Sequence, residues 1–278
     1  MARELRDMVV VITGASAGIG MELARQLSAA GAKLALAARR EDRLRDLNRE
    51  LGGVHLAVRC DVANPADCDN LINQTIAKFG RLDTLVCNAG YGTYKRVDET
   101  DAAEVRKMLD VDVVGTTECI RLAIPHMQRQ DLSSGWRGQI MIVASAASRR
   151  GTPFIGIYSG AKAAQLAIAE ALRVELSDVR IAVTSIHPTP TKTEFRQVAE
   201  RLGKYRLPPS SGFIKTQTAQ EVVAAMVRAI RRPRPEVWPW PAAGWLLSVG
   251  TLCPRWMDRL MYRYYDAVLR HNGLGERQ

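Results

Sequence analysis

In VVVITGASAGIG, residues 9–20, a short apolar run leads directly into a glycine-rich turn. Gly14, Gly18 and Gly20 are spaced G-x-x-x-G-x-G, and residues 20–31 then show helical periodicity. Residues without a Cβ allow a tight turn after a strand, and the N–H groups at the helix start can then bind a pyrophosphate. The strand–turn–helix context therefore favours a nucleotide-binding site over a plain turn.

Short apolar segments alternate with helical segments along most of the chain. The apolar segments run continuously rather than alternating with polar residues, as strands buried on both faces of a parallel sheet do. This order predicts an α/β fold, a Rossmann-type doubly wound parallel β-sheet flanked by helices on both faces. We expect one domain, residues 1–235, followed by a C-terminal helical extension, residues 236–278. The predicted strands are 8–13, 33–38, 54–58, 84–87, 139–144 and 180–186, and the later helical segments are 41–51, 67–79, 101–129, 157–176 and 219–230, the last begun by a capping box of Thr218 and Glu221.

Composition excludes several classes of protein. No apolar run reaches the roughly 18 residues of a membrane span, and the five cysteines show no paired spacing, which predicts free thiols and a cytoplasmic protein. Four scattered histidines predict no metal site. The net charge of +10 would suit nucleic acid, an anionic membrane or an acidic ligand, but the arginines are spread over many segments and no nucleic-acid-binding motif is present. We therefore predict no nucleic-acid partner.

The end of the second strand distinguishes between two nucleotide cofactors. An NAD site places a carboxylate there for the ribose 2′-hydroxyl, whereas an NADP site places an arginine for the 2′-phosphate. Here LALAARRED, residues 34–42, puts Arg39 and Arg40 directly after the strand. Surface arginines before a helix are the plain alternative, but beside the glycine turn the pair predicts NADP(H).

A second chemical motif is YSGAK, residues 158–162. Four steps along a helix return to nearly the same face, so Tyr158 and Lys162 point the same way. A free tyrosine has a pKa of about 10, and a nearby ammonium lowers it, which makes the phenol a usable acid or base. With a nicotinamide and a carbonyl, the phenol proton would go to oxygen while hydride goes to carbon. Ser145, at the end of a predicted strand, could hold that oxygen.

These motifs together resemble the short-chain dehydrogenases/reductases, in their small single-domain branch, over residues 8–230. TGASAGIG (13–20) is similar to the cofactor loop of that family, CDV (60–62) to its adenine contact, CNAG (87–90) to its Asn-Ala-Gly segment, and HPTPTKTEF (187–195) to the turn that covers the nicotinamide. The resemblance implies that Lys162 also holds the nicotinamide ribose. The implied catalytic residues are Ser145, Tyr158, Lys162 and Asp112, and the implied cofactor-binding residues are Gly14, Ser16, Gly18, Ile19, Gly20, Arg39, Arg40, Asp61, Val62, Asn88, Ala89, Gly90, Tyr158, Lys162, Pro188, Thr191 and Thr193.

Two positions depart from the family pattern. The family has a catalytic asparagine in an N-x-x-G segment, whereas VDVVG, residues 111–115, has Asp112 there. An ionised aspartate accepts hydrogen bonds but cannot donate them, and its charge would stabilise the Lys162 ammonium while partly offsetting its effect on Tyr158. Thr189 stands where the family has the glycine of a Pro-Gly turn, which we expect to restrict the local backbone.

The sequence thus predicts an NADPH-dependent oxidoreductase that acts on a carbonyl or secondary alcohol of a hydrophobic substrate. A nucleotide sensor or scaffold with attenuated catalysis is the alternative, and Asp112 motivates it. Sugar-nucleotide epimerases also use a Tyr-x-x-x-Lys pair, but with a different glycine loop and a larger C-terminal region. An acyl group on an acidic carrier protein is an alternative substrate. We expect residues 194–216 to cover the substrate pocket. The family resemblance implies a homodimer or homotetramer.

The C-terminal segment has two interpretations that the sequence leaves open. Its tryptophans and leucines suit a strand and helices that complete the core and line the substrate pocket. Alternatively, the segment attaches to a membrane surface. The run 242–253 is too short to span a bilayer, but the residues around it suit the interface. The tryptophans and arginines that suit such an interface are Trp238, Trp240, Trp245, Trp256, Arg231, Arg232, Arg234, Arg255, Arg259 and Arg263.

Overall fold

A parallel sheet of seven strands lies at the centre of the molecule. The structure, a computed structural model, describes residues 2–208 and 214–275. Its strands are β1 (Val9–Thr13), β2 (Lys33–Ala38), β3 (Leu56–Arg59), β4 (Thr84–Cys87), β5 (Gly138–Val143), β6 (Ile181–Ile186), β7 (Thr191–Lys192), β8 (Gln217–Thr218) and β9 (Glu236–Val237). The helices are α1 (Gly18–Ala29), α2 (Glu41–Glu50), α3 (Pro65–Phe79), α4 (Ala102–Leu109), α5 (Gly115–Gln128), α6 (Gly156–Glu175), α7 (Glu194–Leu202), α8 (Ala219–Arg231), α9 (Pro241–Leu252) and α10 (Pro254–His271).

The order of the strands places a ligand crevice at the middle of the sheet. The main sheet runs β3-β2-β1-β4-β5-β6-β9, and every neighbouring pair is parallel. β7 and β8 form a separate pair. From β1 the chain moves outward to β2 and β3, then returns to β4 on the other side. The loops after β1 and β4 therefore diverge, and in open α/β sheets the crevice between such loops binds the ligand. The predicted Rossmann-type fold is confirmed.

Two layers of helices cover the two faces of the sheet. On one face α1, α2 and α8 pack on alternate residues of the strands, such as Val10, Ile12 and Leu34. On the other face α3, α5 and α6 pack on the intervening residues, such as Val11 and Ala35. Because both sides of each central strand are buried, the strands have the continuous apolar runs that the sequence shows.

The boundaries of the elements follow from local hydrogen bonds. The capping box of Thr218 and Glu221 begins α8 as predicted. β3 begins two residues later than predicted, because the buried His55 accepts the backbone N–H of Leu34 through Nδ1 at 3.3 Å and replaces a backbone partner there. The single helix predicted over 101–129 is instead α4 and α5 with a π-helical turn between them, Asp110–Val114.

The C-terminal segment packs on the domain with one side and faces outward with the other. β9 pairs with β6 at the edge of the sheet. Ala243, Leu247, Met257 and Val268, from α9 and α10, are buried. This burial agrees with core completion as one function of the segment. The division of the chain at residue 235 into a domain and an extension remains a prediction.

Two further observations concern membrane spans and thiols. Within residues 2–208 and 214–275, the helices are all too short or too polar to cross a membrane. All five cysteines are free thiols; Cys253 is exposed and the other four are buried.

Candidate active site

The carboxyl ends of β1 and β4 are joined by Thr13 and Asn88. The Thr13 hydroxyl accepts the backbone N–H groups of Asn88 and Ala89, both at 3.0 Å. The Asn88 side chain donates through Nδ2 to the Thr13 carbonyl at 2.9 Å. The Asn-Ala-Gly segment, residues 88–90, therefore holds the glycine loop next to the loop that follows β4. Thr13, which is not among the predicted site residues, makes most of these contacts.

The glycine loop is a close-packed turn that leaves the start of α1 open. Gly14 and Gly18 have φ values of +67° and +57°, which favour glycine. A Cβ on Gly14 would lie 2.9 Å from Ala89 Cα, and one on Gly20 would lie 2.6 Å from the Gly14 carbonyl oxygen. The residue before α1, Ala17, supplies no side-chain cap. The first N–H groups of α1 are therefore available to a phosphate.

The arginines after β2 lie beside this loop. Arg40 donates to the hydroxyl of the buried Ser16 from Nε at 3.3 Å and Nη2 at 3.1 Å. Its Nη1 donates to Glu194 Oε2 at 2.9 Å, and Arg43 contacts the other oxygen of that carboxylate. Arg39 is exposed and forms no ion pair with any residue in 2–208 or 214–275. Arg40 and Ser16, both predicted cofactor-binding residues, are thus hydrogen-bonded to each other, and Glu194 joins them without any signal in the sequence.

The proposed adenine contact follows β3. Asp61 accepts the backbone N–H of Ala63 at 3.2 Å through its side chain. Val62 is buried against α5, where a Cβ on Gly115 would lie 2.5 Å from the Val62 carbonyl oxygen. The close approach of Gly115 and Val62 keeps the end of β3 next to the end of β4. Ile19, at the other side of the crevice, is half-buried against the core that α1, α2 and α8 form on one face of the sheet.

The proposed catalytic residues come from three elements. Ser145 follows β5, while Tyr158 and Lys162 lie one turn apart on α6. The Lys162 ammonium nitrogen lies 5.6 Å from the centre of the Tyr158 ring. The same nitrogen donates to the Val143 carbonyl at 3.2 Å and to Gln165 Oε1 at 2.9 Å. Lys162 is therefore fixed to β5 and to its own helix, and the i, i+4 spacing does bring Tyr158 and Lys162 together.

Asp112 is fully buried and pairs directly with Lys162. Its Oδ1 lies 2.8 Å from Lys162 Nζ, and its Oδ2 accepts the backbone N–H of Tyr91 at 3.2 Å. Gln165, for which the sequence offers no motif, donates to the Asp112 carbonyl oxygen from the α6 side. A Cβ on Gly90 would lie 2.6 Å from Asp112 Oδ1, so this glycine leaves space for the carboxylate. The π-helical turn thus directs a charged residue into the site.

These neighbours set the ionisation of the site. Burial raises the pKa of Tyr158 above its usual value; the Lys162 charge and the Ser145 hydroxyl act to lower it, and the Asp112 charge acts to raise it. Burial acts to lower the pKa of Lys162, but Asp112 and Tyr158 outweigh it and raise that pKa. Burial likewise raises the pKa of Asp112 against the effect of Lys162. Near neutral pH the phenol therefore holds its proton beside an ammonium group.

A buried histidine supports the loop that carries Ser145. His187 Nδ1 donates to the Ser145 carbonyl at 3.2 Å, and its Nε2 accepts from the Ser185 hydroxyl at 3.0 Å. The ring stacks on Trp238 at 4.4 Å between centroids. Burial lowers the pKa of His187 to about 4, so the ring is neutral. A histidine at the end of an apolar strand is the only sign of this role in the sequence.

The turn after His187 connects the Ser145 loop to α7. The Pro188 carbonyl accepts the backbone N–H of Ala146 at 2.9 Å. Thr189 does not have a positive φ, so its side chain causes no strain of that kind, and the expected restriction of the local backbone stays a prediction. The Thr189 hydroxyl donates to the Lys215 carbonyl at 2.8 Å, and the Thr191 hydroxyl donates to the Thr189 carbonyl at 2.8 Å.

The start of α7 lies across the crevice. Thr193 caps this helix, its hydroxyl accepting the Phe195 N–H at 3.3 Å, and a Cβ on Gly18 would lie 3.1 Å from Thr193 Cβ. The Phe195 ring lies 5.3 Å from the Tyr158 ring. α7 therefore contacts both the glycine loop and the proposed acid. The covering loop expected over 194–216 lies partly outside the described residues, at 209–213.

The fold and this site together define a Rossmann-fold oxidoreductase that uses a nicotinamide cofactor. The family model for short chain dehydrogenase matches residues 8–201. The chain therefore belongs to the short chain dehydrogenase family. As members of this family do, it acts on a small molecule with a nicotinamide cofactor.

Two relatives show how far the similarity extends. The 11-beta-hydroxysteroid dehydrogenase-like 3 of Arabidopsis thaliana is 34% identical over 256 residues, which are 90% of this chain and 79% of that protein. The uncharacterized oxidoreductase YxnA of Bacillus subtilis is 31% identical over 281 residues, covering 99% of this chain and 76% of that protein. The similarity therefore includes most of the C-terminal segment.

Solved structures share the fold. A short chain dehydrogenase/reductase from Burkholderia phymatum in complex with NAD superposes with a TM-score of 0.76 at 24% identity, covering 88% of this chain and 93% of that one. An alcohol dehydrogenase from the archaeon Thermococcus sibiricus, complexed with 5-hydroxy-NADP, has a TM-score of 0.70 at 28% identity, covering 83% of this chain and 95% of that one. One neighbour holds NAD and the other an NADP derivative, so the fold alone does not select between the two cofactors.

The Asp112 charge should be visible in a pH profile. Asp112→Asn removes a carboxylate that acts to raise the pKa of Tyr158. Alcohol oxidation needs the phenolate, so the rising limb of the oxidative pH–rate profile should move to lower pH in the variant. Steady-state rates measured over a pH series check this. Asp110→Asn, an exposed change in the same turn, is the control; identical profiles for all three proteins would contradict a role for the charge.

Proposed function

We propose that the protein is an NADPH-dependent oxidoreductase that interconverts a carbonyl and a secondary alcohol on a hydrophobic substrate. The observation that carries this proposal is the half-buried Tyr158 phenol, which lies one helical turn from the Lys162 ammonium. Burial raises the pKa of this phenol, so it keeps its proton near neutral pH. A protonated phenol beside a fixed positive charge is suited to give a proton to a carbonyl oxygen as negative charge develops there.

In the proposed reduction, the residues of this chain hold the oxygen and supply the proton. When bound, the reduced nicotinamide supplies the hydride that forms the new C–H bond. The Ser145 hydroxyl donates a hydrogen bond to the carbonyl oxygen, and Tyr158 transfers its proton to that oxygen as the double bond becomes a single bond. Lys162 stabilises the resulting phenolate, and Asp112 keeps Lys162 charged. Oxidation of the alcohol is the reverse.

The proposal of a hydrophobic substrate is supported by an aromatic cluster next to Tyr158. Buried Tyr94, Phe154 and Tyr205 pack with Val268 of α10, and half-buried Phe195 joins this cluster to the Tyr158 ring. A substrate that approaches Tyr158 past such side chains gains by burying apolar surface. The relatives named as hydroxysteroid dehydrogenase-like support a lipophilic alcohol or ketone.

The role of Tyr158 can be tested directly. Tyr158→Phe keeps the ring and removes the transferable proton, so turnover should fall by ~10²-fold or more while NADPH affinity is retained. The measurements are NADPH oxidation against a panel of apolar ketones and NADPH binding by fluorescence. Tyr262→Phe, the same chemical change on the exposed part of α10, should leave turnover within twofold. Near-normal turnover of Tyr158→Phe would show that another group gives the proton.

The second candidate function is nucleotide sensing with attenuated catalysis. Asp112 favours it, because the carboxylate opposes the activation of Tyr158 by Lys162. The same assay separates the two functions. A wild-type protein that binds NADPH tightly, yet turns over no member of a broad carbonyl panel in either direction, would favour the sensor.

The proposed preference for NADPH rests on Arg39, Arg40 and Ser16. Two guanidinium groups and a hydroxyl suit a phosphate, because arginine pairs with phosphate oxygens bidentately. Glu194 shares Arg40 with this site, but Arg43 also contacts that carboxylate and can retain it. The arginine pair therefore remains able to accept a phosphate.

The cofactor preference predicts unequal affinities. Wild-type protein should bind NADPH more tightly than NADH, and Arg39→Gln/Arg40→Gln should weaken NADPH binding by ~10-fold or more while NADH binding changes little, since charge-assisted hydrogen bonds are lost only with the phosphate. Fluorescence titration measures both constants. Arg45→Gln, one turn further along α2, is the control. Equal wild-type affinities, or tighter NADH, would contradict the assignment.

We further infer a homodimer or homotetramer from the family resemblance, and a cytoplasmic location from the free thiols. Light scattering on the purified chain, whose mass is 30.7 kDa, measures the number of subunits. A monomer at micromolar concentration would contradict this inference.

We also propose that the C-terminal segment contacts a membrane surface. α9 contains no charged residue, and its outer side exposes Trp245 (77%), Val249 and Leu252 (82%). Val249 and Leu252 are four and seven positions after Trp245, so all three lie in one stripe along α9. Trp256 continues this apolar surface into α10, and Arg255 and Arg259 beside it are also exposed. A contiguous apolar stripe with adjacent arginines is typical of an interfacial helix.

The membrane contact predicts co-sedimentation with vesicles. Wild-type protein should pellet with anionic vesicles at low salt and less so at high salt, and Trp245→Ser/Leu252→Ser should abolish most of the binding. Val54→Ser/Val174→Ser removes two other exposed apolar side chains and should have no effect. A wild-type chain that stays in the supernatant at low salt would contradict the contact.

A further inference from the structure

A cavity of about 460 Å³ lies where the domain meets the C-terminal segment. It is bounded by the end of α8 on one side and by the connection from β9 to α9 on the other. Its walls combine four arginines with apolar side chains that lead into α9. The lining residues that matter are Arg228, Arg231, Arg232, Arg234, Trp238 and Pro241. The cavity is separate from the cofactor crevice, which lies between the loops after β1 and β4.

Within residues 2–208 and 214–275, no carboxylate pairs with the arginines of this cavity. None of the four guanidinium groups forms an ion pair or side-chain hydrogen bond with any other residue in the described ranges, whereas many other arginines, such as Arg25 and Arg81, are paired with carboxylates. The cavity has one carboxylate, Glu236, but that group is bound by Arg149 and accepts the Trp238 indole N–H at 3.2 Å. A concave surface with several like charges concentrates ions of the opposite sign.

From these observations we propose that the arginine cavity binds the phosphate of an anionic phospholipid headgroup. Guanidinium groups match phosphate oxygens in geometry as well as in charge, which distinguishes phosphate from a carboxylate or halide ligand. Four arginines exceed what one phosphodiester requires. We therefore expect the strongest binding for a headgroup with a phosphomonoester, such as phosphatidic acid.

The position of α9 identifies the source of the phosphate as a bilayer. Pro241 lines the cavity at the first turn of α9, and the exposed Trp245, Val249 and Leu252 follow it by four, eight and eleven residues. These spacings place all four on one stripe of the helix. The cavity therefore opens at the head of the apolar surface that we propose to lie on the membrane. This inference rests on that proposed contact and adds a headgroup site to it.

A second copy of this chain is a poorer occupant of the cavity. In a symmetric contact the same patch meets itself, so Arg228, Arg231, Arg232 and Arg234 would face the same four arginines across the interface. Like charges opposed in this way disfavour association. An anionic ligand has the opposite requirement and is favoured by the same arrangement.

The test measures binding of the full chain to vesicles. Neutral phosphatidylcholine vesicles are compared with vesicles that also contain phosphatidic acid. Arg228→Gln/Arg232→Gln removes two charges from the cavity, and Arg106→Gln/Lys107→Gln removes two exposed charges from α4 as a matched control. We expect the cavity variant to lose ~10-fold or more of its affinity for phosphatidic acid vesicles, and the control to stay within twofold. NADPH turnover is measured on every variant and should remain unchanged.

The outcomes separate this inference from the proposals on which it rests. Equal losses in the two double variants would show attraction by overall charge and would overturn the cavity site. Equal wild-type binding to neutral and anionic vesicles would keep the membrane contact and overturn the headgroup site. A further outcome is that wild-type protein binds no vesicles and yet shows saturable binding of glycerol 3-phosphate in calorimetry. That result would show a site for a soluble phosphate and would overturn the lipid assignment. Loss of turnover in the cavity variant would indicate a role in the enzyme itself and would also overturn it.

Discussion

The buried ion pair between Lys162 and Asp112 is the interaction on which the rest of the site depends. Its atoms are 2.8 Å apart and almost completely removed from solvent. Removing one partner of such a pair leaves a buried charge unpaired, at a cost of about 3–5 kcal/mol. The pair joins α6 to the π-helical turn before α5, and it sets the charge that acts on Tyr158. Stability and acid–base chemistry thus depend on the same contact.

The surrounding structure holds this pair in a fixed place. Gln165 binds both partners, donating to the Asp112 carbonyl and accepting from Lys162. The absence of a side chain at Gly90 leaves the space that the carboxylate occupies. On the other side of Tyr158, the neutral His187 fixes the Ser145 carbonyl and stacks on Trp238. Through that ring the C-terminal segment supports the loop of Ser145, so the segment contributes to the structure of the candidate active site as well as to the outer surface.

In the C-terminal segment, helix α9 has one buried side and one exposed side. α9 has no charged residue, and such a helix is normally buried on every side. Here Ala243 and Leu247 are buried while Trp245 and Leu252 are exposed. The two interpretations of the sequence are therefore compatible, because they apply to opposite sides of the same helix. The cavity arginines at the end of α8 and just after it form no ion pair within the described residues, and they add a charge pattern that core completion does not require.

The fold class, the glycine turn and the proximity of Tyr158 to Lys162 could all be predicted from the amino-acid sequence. These features depend on short-range periodicity: continuous apolar runs, glycines at a turn, and an i, i+4 spacing on a helix. Arg40 and Ser16 were both predicted as cofactor-binding residues, but the hydrogen bonds between them were not predicted. The family resemblance implied that Asp112 acts on Lys162, but its direct contact with that ammonium was visible only in the folded protein. The same is true of the support of Ser145 by His187 and of the contact between Glu194 and Arg40. Each of these contacts joins residues far apart in the chain, and a local pattern carries no information about which distant side chain fills a buried position.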